Sequence, residues 1–376
     1  MLFQTAPLDS AEIEVLGMIT RLRRELDYSL PPRRWSGLLR RNTFARAIRG
    51  SNSIEGYNVT IDDALAAVEG EAPLDAESEA WAAVNGYRLA MTLILQKADD
   101  PHFEYSLEFL NSLHFMMVGH DLLKNPGRWR TGEIFVRDEA RGEVVYQGPG
   151  PDLVPSLMRE LVDSVNEDQD TPALVKAAMG HLNLVMIHPY SDGNGRMARA
   201  FQTLILARAG QTLNPIFVSI EEYLGRNTLD YYDVLAKVGG GRWNPGNDPK
   251  AWVRFSLKAH YQQAATLKSR GQKLQRIFDE VEGLATRRSL PERSIPALVE
   301  AAMGLRIRNA TYRNLADISD GTATRDLRSL VEAGMLSPKG KKRGRFYVAG
   351  EPLLEIARAV GATGRAADPF ELVSSA

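Results

Sequence analysis

Apolar residues recur at helical spacing through most of this chain. Over residues 9–28, Ile13, Leu16, Ile19, Leu22 and Leu26 fall three or four apart, which predicts an amphipathic helix stopped by Pro31-Pro32. Residues 33–49 are strongly basic and read as helical around 38–48; taken alone, such a run is a solvated face. The same period predicts helices at 60–69 (Thr60 as N-cap, acids in the first turn), 81–97, 106–118, 152–166, 172–187 (Pro172 in the first turn), 219–238 and from 249 to about 282. The period changes to short β-branched and aromatic runs in two places. Residues 133–137 and 143–147 flank Asp138-Glu139-Ala140-Arg141-Gly142 and predict a hairpin ended by Pro149 and Pro151. Residues 336–348, with Gly340-Lys341-Lys342-Arg343-Gly344 in their middle, predict another after helices at 295–303, 311–318 and 322–333. The Ala/Gly-rich tail from Gly361 predicts a loose end. The fold class is mainly α.

Length, at 376 residues, leaves room for two or three domains with proper cores. A net charge of −1 excludes a global field steering the chain to nucleic acid or a membrane. The absence of cysteine excludes disulfides and thiolate metal sites. Residues 1–10 lack a basic-then-apolar signal pattern, and no apolar run reaches about 18 residues. The expectation is a cytoplasmic protein with no membrane partner.

Chemistry concentrates in His188-Pro189-Tyr190-Ser191-Asp192-Gly193-Asn194-Gly195-Arg196-Met197-Ala198-Arg199. An apolar helix arrives at His188, and Pro189 cannot continue it. Asp192 to Gly195 make a tight loop, and a second helix runs on to Gly210. A helix N-terminus fed by such a loop suits phosphate. Arg196 and Arg199 lie three apart on one face, able to add two permanently charged forks. Asp192 offers an oxygen to Mg²⁺. His188, with an unperturbed pKa of about 6.5, suits a general base. His181 stands seven residues earlier, but no third ligand has a recognisable spacing, so it reads as a core or supporting histidine. His114 reads as a helix-face histidine with structural contacts.

This stretch resembles the signature of the Fic (Fido) family, His-Pro-Phe-x-Asp/Glu-Gly-Asn-Gly-Arg-x-x-Arg. Nine of its twelve positions are specified, and the only departure is Tyr190 for Phe. Upstream, Ser51-Asn52-Ser53-Ile54-Glu55-Gly56 reads locally as a glycine-capped helix end. It also fits the family's inhibitory motif Ser/Thr-x-x-x-Glu-Gly/Asn at Ser51, Glu55 and Gly56. The resemblance implies that Glu55 pairs with Arg199 and keeps it from a nucleotide's γ-phosphate. It implies that the 133–147 hairpin is the flap holding a target segment by strand addition. It also places Tyr231 and Tyr232 beside the nucleotide, although Gly239 stands where family members often carry asparagine.

A basic shift begins near Arg287: residues 287–347 hold thirteen Lys/Arg against six Asp/Glu. The helix–helix–helix–hairpin order there resembles a winged helix-turn-helix. Its recognition helix would expose Thr324, Arg325 and Arg328, and its wing Lys341, Lys342 and Arg343, as candidate DNA contacts. A packing or protein-binding role fits the same pattern equally well. The division expected is 1–100 (N-terminal helices with the inhibitory motif), 101–260 (Fic core), 261–289 (connecting helix), 290–350 (winged helix) and 351–376 (tail).

The implied reaction is transfer of AMP from Mg·ATP to a Ser, Thr or Tyr hydroxyl of a target protein, or of the chain itself. His188 would be the base, Asp192 would position the metal, and the N–H groups of Gly193, Asn194 and Gly195 with Arg196 and Arg199 would hold the phosphates. AMP removal, transfer of another nucleotide, and a DNA-binding regulator using the core as a sensor are the alternatives. A homodimer is left open.

Overall fold

The computed structural model describes residues 1–376 except 6, 29–32, 139–141, 212–218, 342–343, 362–363, 365 and 376. Sixteen α-helices and two hairpins appear among the described residues, so the mainly helical expectation holds. Two helices, α7 (Ala173–Ile187) and α8 (Asn194–Arg208), run through the centre with almost every residue buried. α7 is apolar on nearly all sides, as a helix surrounded by others requires, whereas α8 also buries Arg196, Arg199 and Gln202. Around them lie α1 (Ser10–Tyr28), α2 (Arg33–Ile54), α3 (Ile61–Glu69), α4 (Ser78–Lys97), α5 (Leu107–Val118) and α6 (Val154–Glu167), each close to its expected span. Thr60 and Ser106 cap α3 and α5 by accepting the N–H of Asp63 and Phe109.

The helix expected over 219–238 is two, α9 (Glu221–Arg226) and α10 (Thr228–Gly239). Asn227 leaves helical geometry (φ −128°, ψ 44°), and its side chain donates to the Tyr223 carbonyl at 2.7 Å, serving as the corner between them. This break brings α9 across α2. A Cβ on Gly50 would lie 2.4 Å from the Glu221 carbonyl oxygen, and one on Gly225 would lie 2.8 Å from the Gly50 Cα. Only two glycines permit that crossing, and it fixes the end of α2 that carries Ser51 and Glu55.

Helix α11 (Lys250–Arg287) spans 38 residues, about 57 Å at 1.5 Å each. Its first half seals the central core through Trp252, Val253 and Leu257, and its second half enters another core through Leu274, Ile277, Phe278 and Val281. The second core is built by α12 (Ile295–Ala302), α13 (Asn309–Ala316), α14 (Asp320–Glu332), β3 (Leu336–Lys339), β4 (Phe346–Ala349) and α15 (Glu351–Val360). β3 and β4 are antiparallel, and Ile307 adds an antiparallel bridge to Tyr347. Arg306 pairs with Asp62 and Asp75, and Arg308 with Glu71, so this unit is fastened to α3 and the segment after it.

The tail departs from expectation. Residues beyond Gly361 include α16 (Pro369–Ser374), capped by Asp368. Asp368 also meets Lys258 at 2.7 Å, and the Arg254 guanidinium lies 5.3 Å from the Phe370 ring centroid. An apolar residue and a charge on either side of Pro369 therefore dock the end against α11, outweighing the local Ala/Gly composition.

The first hairpin is β1 (Phe135–Asp138) with β2 (Glu143–Gln147), antiparallel with a bulge between Val136 and Arg137. It is pinned along β2. Gln147 N–H donates to the Gly241 carbonyl and Trp243 N–H to that of Gln147. Tyr146 donates to the Met186 carbonyl at 2.8 Å. A Cβ on Gly239 would meet the Tyr146 ring at 3.1 Å, which gives a steric reason for glycine there.

Candidate functional site

The site is built where α7 stops. His188 takes the left-handed conformation (φ 52°, ψ 58°), and its N–H closes on the Leu184 carbonyl. Arg130, which sequence reasoning missed, holds this corner. Its guanidinium donates to the carbonyls of His188 (2.8 Å), Pro149 (2.6 Å) and Gly132 (2.8 Å), and its N–H donates to Pro189. An arginine beside a tryptophan gives no sign in the sequence that it will collect five carbonyls, the fifth being Ile187 at 3.4 Å.

The His188 ring is oriented by Nδ1, which donates to the Val185 carbonyl at 3.1 Å. Nε2 is left as the basic nitrogen. Burial holds the imidazole below its usual pKa, so it is neutral at pH 7.

The loop from 190 to 195 is braced from three sides. Asn194 accepts the Tyr190 N–H at 2.9 Å and donates to its carbonyl at 2.8 Å, closing the turn on itself. Tyr190 stacks on His114 at 3.7 Å with rings 6° apart, and its hydroxyl donates to Asn111. That partner is what makes the tyrosine acceptable where the family carries phenylalanine. His114 accepts the Gly127 N–H on Nδ1 and donates from Nε2 to the Asp192 carbonyl, both at 2.9 Å. This neutral imidazole, lowered to about 4 by burial, fixes the loop's height, a structural role as expected. His181 is also structural. Its nitrogens meet Gln202 at 2.6 Å and the Tyr231 hydroxyl at 3.0 Å, and no group of three or more His, Asp or Glu able to hold a metal occurs among the described residues.

Gly193 precedes α8 with φ 80°, and a Cβ there would crowd Val118 at 3.1 Å. Its N–H donates to Asp192 Oδ1 at 2.6 Å, so of the three amides expected at the phosphates this one is already engaged. The amides of Asn194 and Gly195 belong to the first turn of α8, which has no intrahelical acceptor for them. Arg196 is fully buried, yet among the described residues none of its three nitrogens makes a hydrogen bond and its only ion pair is with Asp192 at 3.6 Å. A buried guanidinium in that condition is costly unless an anion arrives.

The neighbouring anion place is filled from within. Glu55 Oε1 lies 2.6 Å from Arg199 Nη2 and only 2.4 Å from where a Cβ on Gly195 would stand. A carboxylate thus rests directly on the first turn of α8. Ser51 supports the pair: Arg199 donates to its hydroxyl at 2.8 Å and to its carbonyl at 3.0 Å. Gly56 follows with φ 83° and turns the chain away. Ser51 and Glu55 thus both meet Arg199, and Gly56 supplies the turn that follows them.

Tyr231 and Tyr232 are placed differently from each other. Tyr231, 1% exposed, lies in the core against His181 and Trp252. Tyr232 is 47% exposed, and its hydroxyl donates to the Ile54 carbonyl, touching the helix that bears Glu55. Of the two expected nucleotide contacts, Tyr231 is thus buried and Tyr232 stands at the surface beside the end of α2. Thr324, Arg325 and Arg328 are exposed on α14, and Lys341 is exposed near the second hairpin tip. Lys342 and Arg343 lie outside the described residues.

These residues fit a magnesium-bound nucleoside triphosphate. The internal Glu55 carboxylate marks an anion position, Arg196 lacks an acceptor, and Asp192 presents a carboxylate beside them, held in its charged form against the pull of burial by Arg196 and Lys124.

Comparison with known proteins points the same way. Residues 104–206 match the model of the Fic/DOC family. "Protein adenylyltransferase Fic" of Nematostella vectensis is 26% identical over 222 residues, covering 57% of this chain and 46% of that protein. The protein of the same name from Drosophila grimshawi is 29% identical over 223 residues, covering 57% and 41%. The chain spans about half the length of the curated relatives it matches. In fold, a Fic family protein from Desulfovibrio desulfuricans G20 aligns over 93% of this chain and 99% of its own, with TM-score 0.58 at 22% identity. Fic-1 from Caenorhabditis elegans (residues 134–508) aligns over 69% and 73%, with TM-score 0.55 at 21% identity. Residues 104–206, which hold the whole 188–199 motif and its loop, thus match the Fic/DOC family model, and the chain as a whole shares its fold with Fic proteins.

Proposed function

We propose that the chain is a self-inhibited protein adenylyltransferase acting from Mg·ATP. The observation that carries this reading is the Glu55 carboxylate seated on the first turn of α8 against Arg199. It is an anion held where a terminal phosphate would be bound, next to a cation, Arg196, still without a hydrogen-bonding partner.

The chemistry needs a proton acceptor, a cradle and a leaving group. His188 Nε2 takes the proton of a target Ser, Thr or Tyr hydroxyl. The hydroxyl oxygen forms a bond to the α-phosphorus, the bond from that phosphorus to the α,β-bridging oxygen breaks, and pyrophosphate departs. Arg196, Arg199 and the first amides of α8 carry the charge on the phosphates, where such donors contribute about 2–4 kcal/mol each. Asp192 would hold Mg²⁺, which supplies charge neutralisation on the polyphosphate. The open β1 edge suits a target strand added by main-chain hydrogen bonds.

The test is labelling of Glu55→Gly protein with lysate, using ATP carrying ³²P at the α or at the γ position. Label from the α position alone, lost on adding His188→Ala, is the expected result. Label from the γ position alone would indicate phosphoryl transfer and overturn the reading. Loss of AMP from a pre-modified target would instead mark the site as a hydrolase.

For the C-terminal unit we infer a winged-helix module that contacts a phosphate backbone. The exposed face of α14 offers Thr324, Arg325 and Arg328, between which the one acid, Asp326, is buried, and Lys339, Lys341 and Arg345 are exposed as well. A duplex-DNA mobility shift that weakens with salt tests this reading.

A further inference from the structure

The site contains a cation that the motif does not supply. Lys124 closes the short turn Leu122–Lys124, capped by Asp121 and followed by Asn125 in the left-handed region (φ 51°). Ser191 donates to the Lys124 carbonyl at 2.9 Å, fastening this turn to the loop that carries Asp192. The Lys124 side chain is 18% exposed. It donates to the Tyr57 hydroxyl at 2.5 Å and lies 3.1 Å from Asp192 Oδ2; Glu79 stands farther off at 3.9 Å.

Tyr57 is two residues beyond Glu55. Its ring lies 5.1 Å from the Arg196 guanidinium and 5.2 Å from Lys124 Nζ, both within cation–π range. Residues 55–57 thus engage three cations: Arg199 through the Glu55 carboxylate, and Arg196 and Lys124 through Tyr57.

Asp192 has two oxygens to offer a divalent cation. Oδ1 is held by the Gly193 N–H, and Oδ2 faces the Lys124 ammonium. An arriving cation at Oδ2 would therefore meet a positive charge already in place, and like charges at that separation repel. A lysine on a flexible stem can yield, because its ammonium is a point charge that pairs as well with phosphate as with carboxylate.

We propose that Lys124 is the resident counter-ion of Asp192 and a phosphate-binding residue of the nucleotide site. With residues 55–57 in place, the ammonium neutralises Asp192 and is held by the Tyr57 hydroxyl. When a divalent cation takes Oδ2, the ammonium moves to the polyphosphate. The inhibitory segment thereby controls the metal's carboxylate as well as the arginine of the terminal phosphate. This inference rests on the nucleotide reading above.

The experiment measures binding rather than turnover. Full-length Glu55→Gly protein is titrated with ATP by calorimetry in EDTA and in saturating Mg²⁺, and the ratio of the two dissociation constants is taken. In Glu55→Gly/Lys124→Met, ATP binding without metal is expected to weaken. The gain on adding Mg²⁺ is expected to grow by roughly threefold or more, because the ammonium no longer has to leave Asp192. Lys124→Arg should restore both values toward the parent, which separates charge from folding. Tyr57→Phe should tighten metal-free ATP binding, since it frees the ammonium. A metal ratio equal in parent and Lys124→Met overturns the proposal and leaves the nucleotide reading intact. A parent that binds no ATP in either buffer overturns both.

Discussion

Replacing Glu55 with glycine removes the carboxylate paired with Arg199 and leaves its hydrogen bonds to Ser51. Glu55 meets Arg199 at 2.6 Å, and the arginine is almost wholly buried. A hydrogen bond with both partners charged contributes about 1.5–3 kcal/mol net. While that latch is closed the anion place is filled, so the apparent affinity for ATP is reduced by the closed-to-open ratio. At about 1.4 kcal/mol per decade, opening it should tighten Mg·ATP binding by roughly 10- to 150-fold. The same change should destabilise the apoprotein, because a buried guanidinium has lost its counter-charge. Calorimetric titration gives the first quantity, and thermal melting with and without Mg·ATP gives the second. The expected pattern is a lower melting temperature for Glu55→Gly, recovered by nucleotide. Affinities within about twofold of each other, far short of the factor above, together with equal melting temperatures, would refute the latch.

Other outcomes follow from the same geometry. His188→Ala should abolish transfer and leave ATP affinity within about threefold, because only the proton acceptor is lost; calorimetry beside labelling checks it. Stability should fall as pH drops below about 6.5, the ordinary value for histidine. His114 and His181 are held at about 4 and about 3 by burial, so below 6.5 the unfolded chain binds protons that the folded chain refuses. Each contributes up to about 1.4 kcal/mol per pH unit, fully present above 6.5. Urea midpoints at pH 7.5 and pH 5 measure this, and a flat response would contradict neutral buried imidazoles. Gly50→Ala puts a Cβ 2.4 Å from the Glu221 carbonyl oxygen, so it should cost about 1–3 kcal/mol in urea unfolding. It should also raise labelling by displacing the end of α2. Arg325→Ala with Arg328→Ala should weaken any DNA shift and flatten its salt dependence by about two phosphate contacts; an unchanged slope would remove α14 from that interface.

The sequence was most legible where local rules and tertiary context agree. His188 to Arg199 could be read as helix, turn, glycine loop and helix because Pro189, Gly193 and the apolar run before them each allow little else. The Glu55–Arg199 pairing was reachable through the motif, since nothing local links residues 144 apart. Arg130 and Lys124 escaped notice for one physical reason. Each acts through backbone carbonyls or a distant carboxylate brought near only by packing, so no spacing in the chain announces it. Tyr231 and Tyr232 are adjacent in sequence, but helical rotation sends one into the core and the other to the surface. Asn227 could have been read as a corner, because an asparagine inside a helix readily bonds to a carbonyl one turn back, as it does at Tyr223. The end near Pro369 was legible only in part: composition suggested looseness, whereas Asp368-Pro369 is a helix-start signal.

The central claim is that the first turn of α8 is a polyphosphate site filled by an internal carboxylate. Diffraction from Glu55→Gly crystals soaked with a non-hydrolysable ATP analogue tests it most directly. The account predicts the terminal phosphate on Arg199 where the Glu55 carboxylate stood, with the α-phosphorus facing His188 Nε2. A nucleotide bound elsewhere, or a triphosphate reaching neither Arg196 nor Arg199, would contradict it.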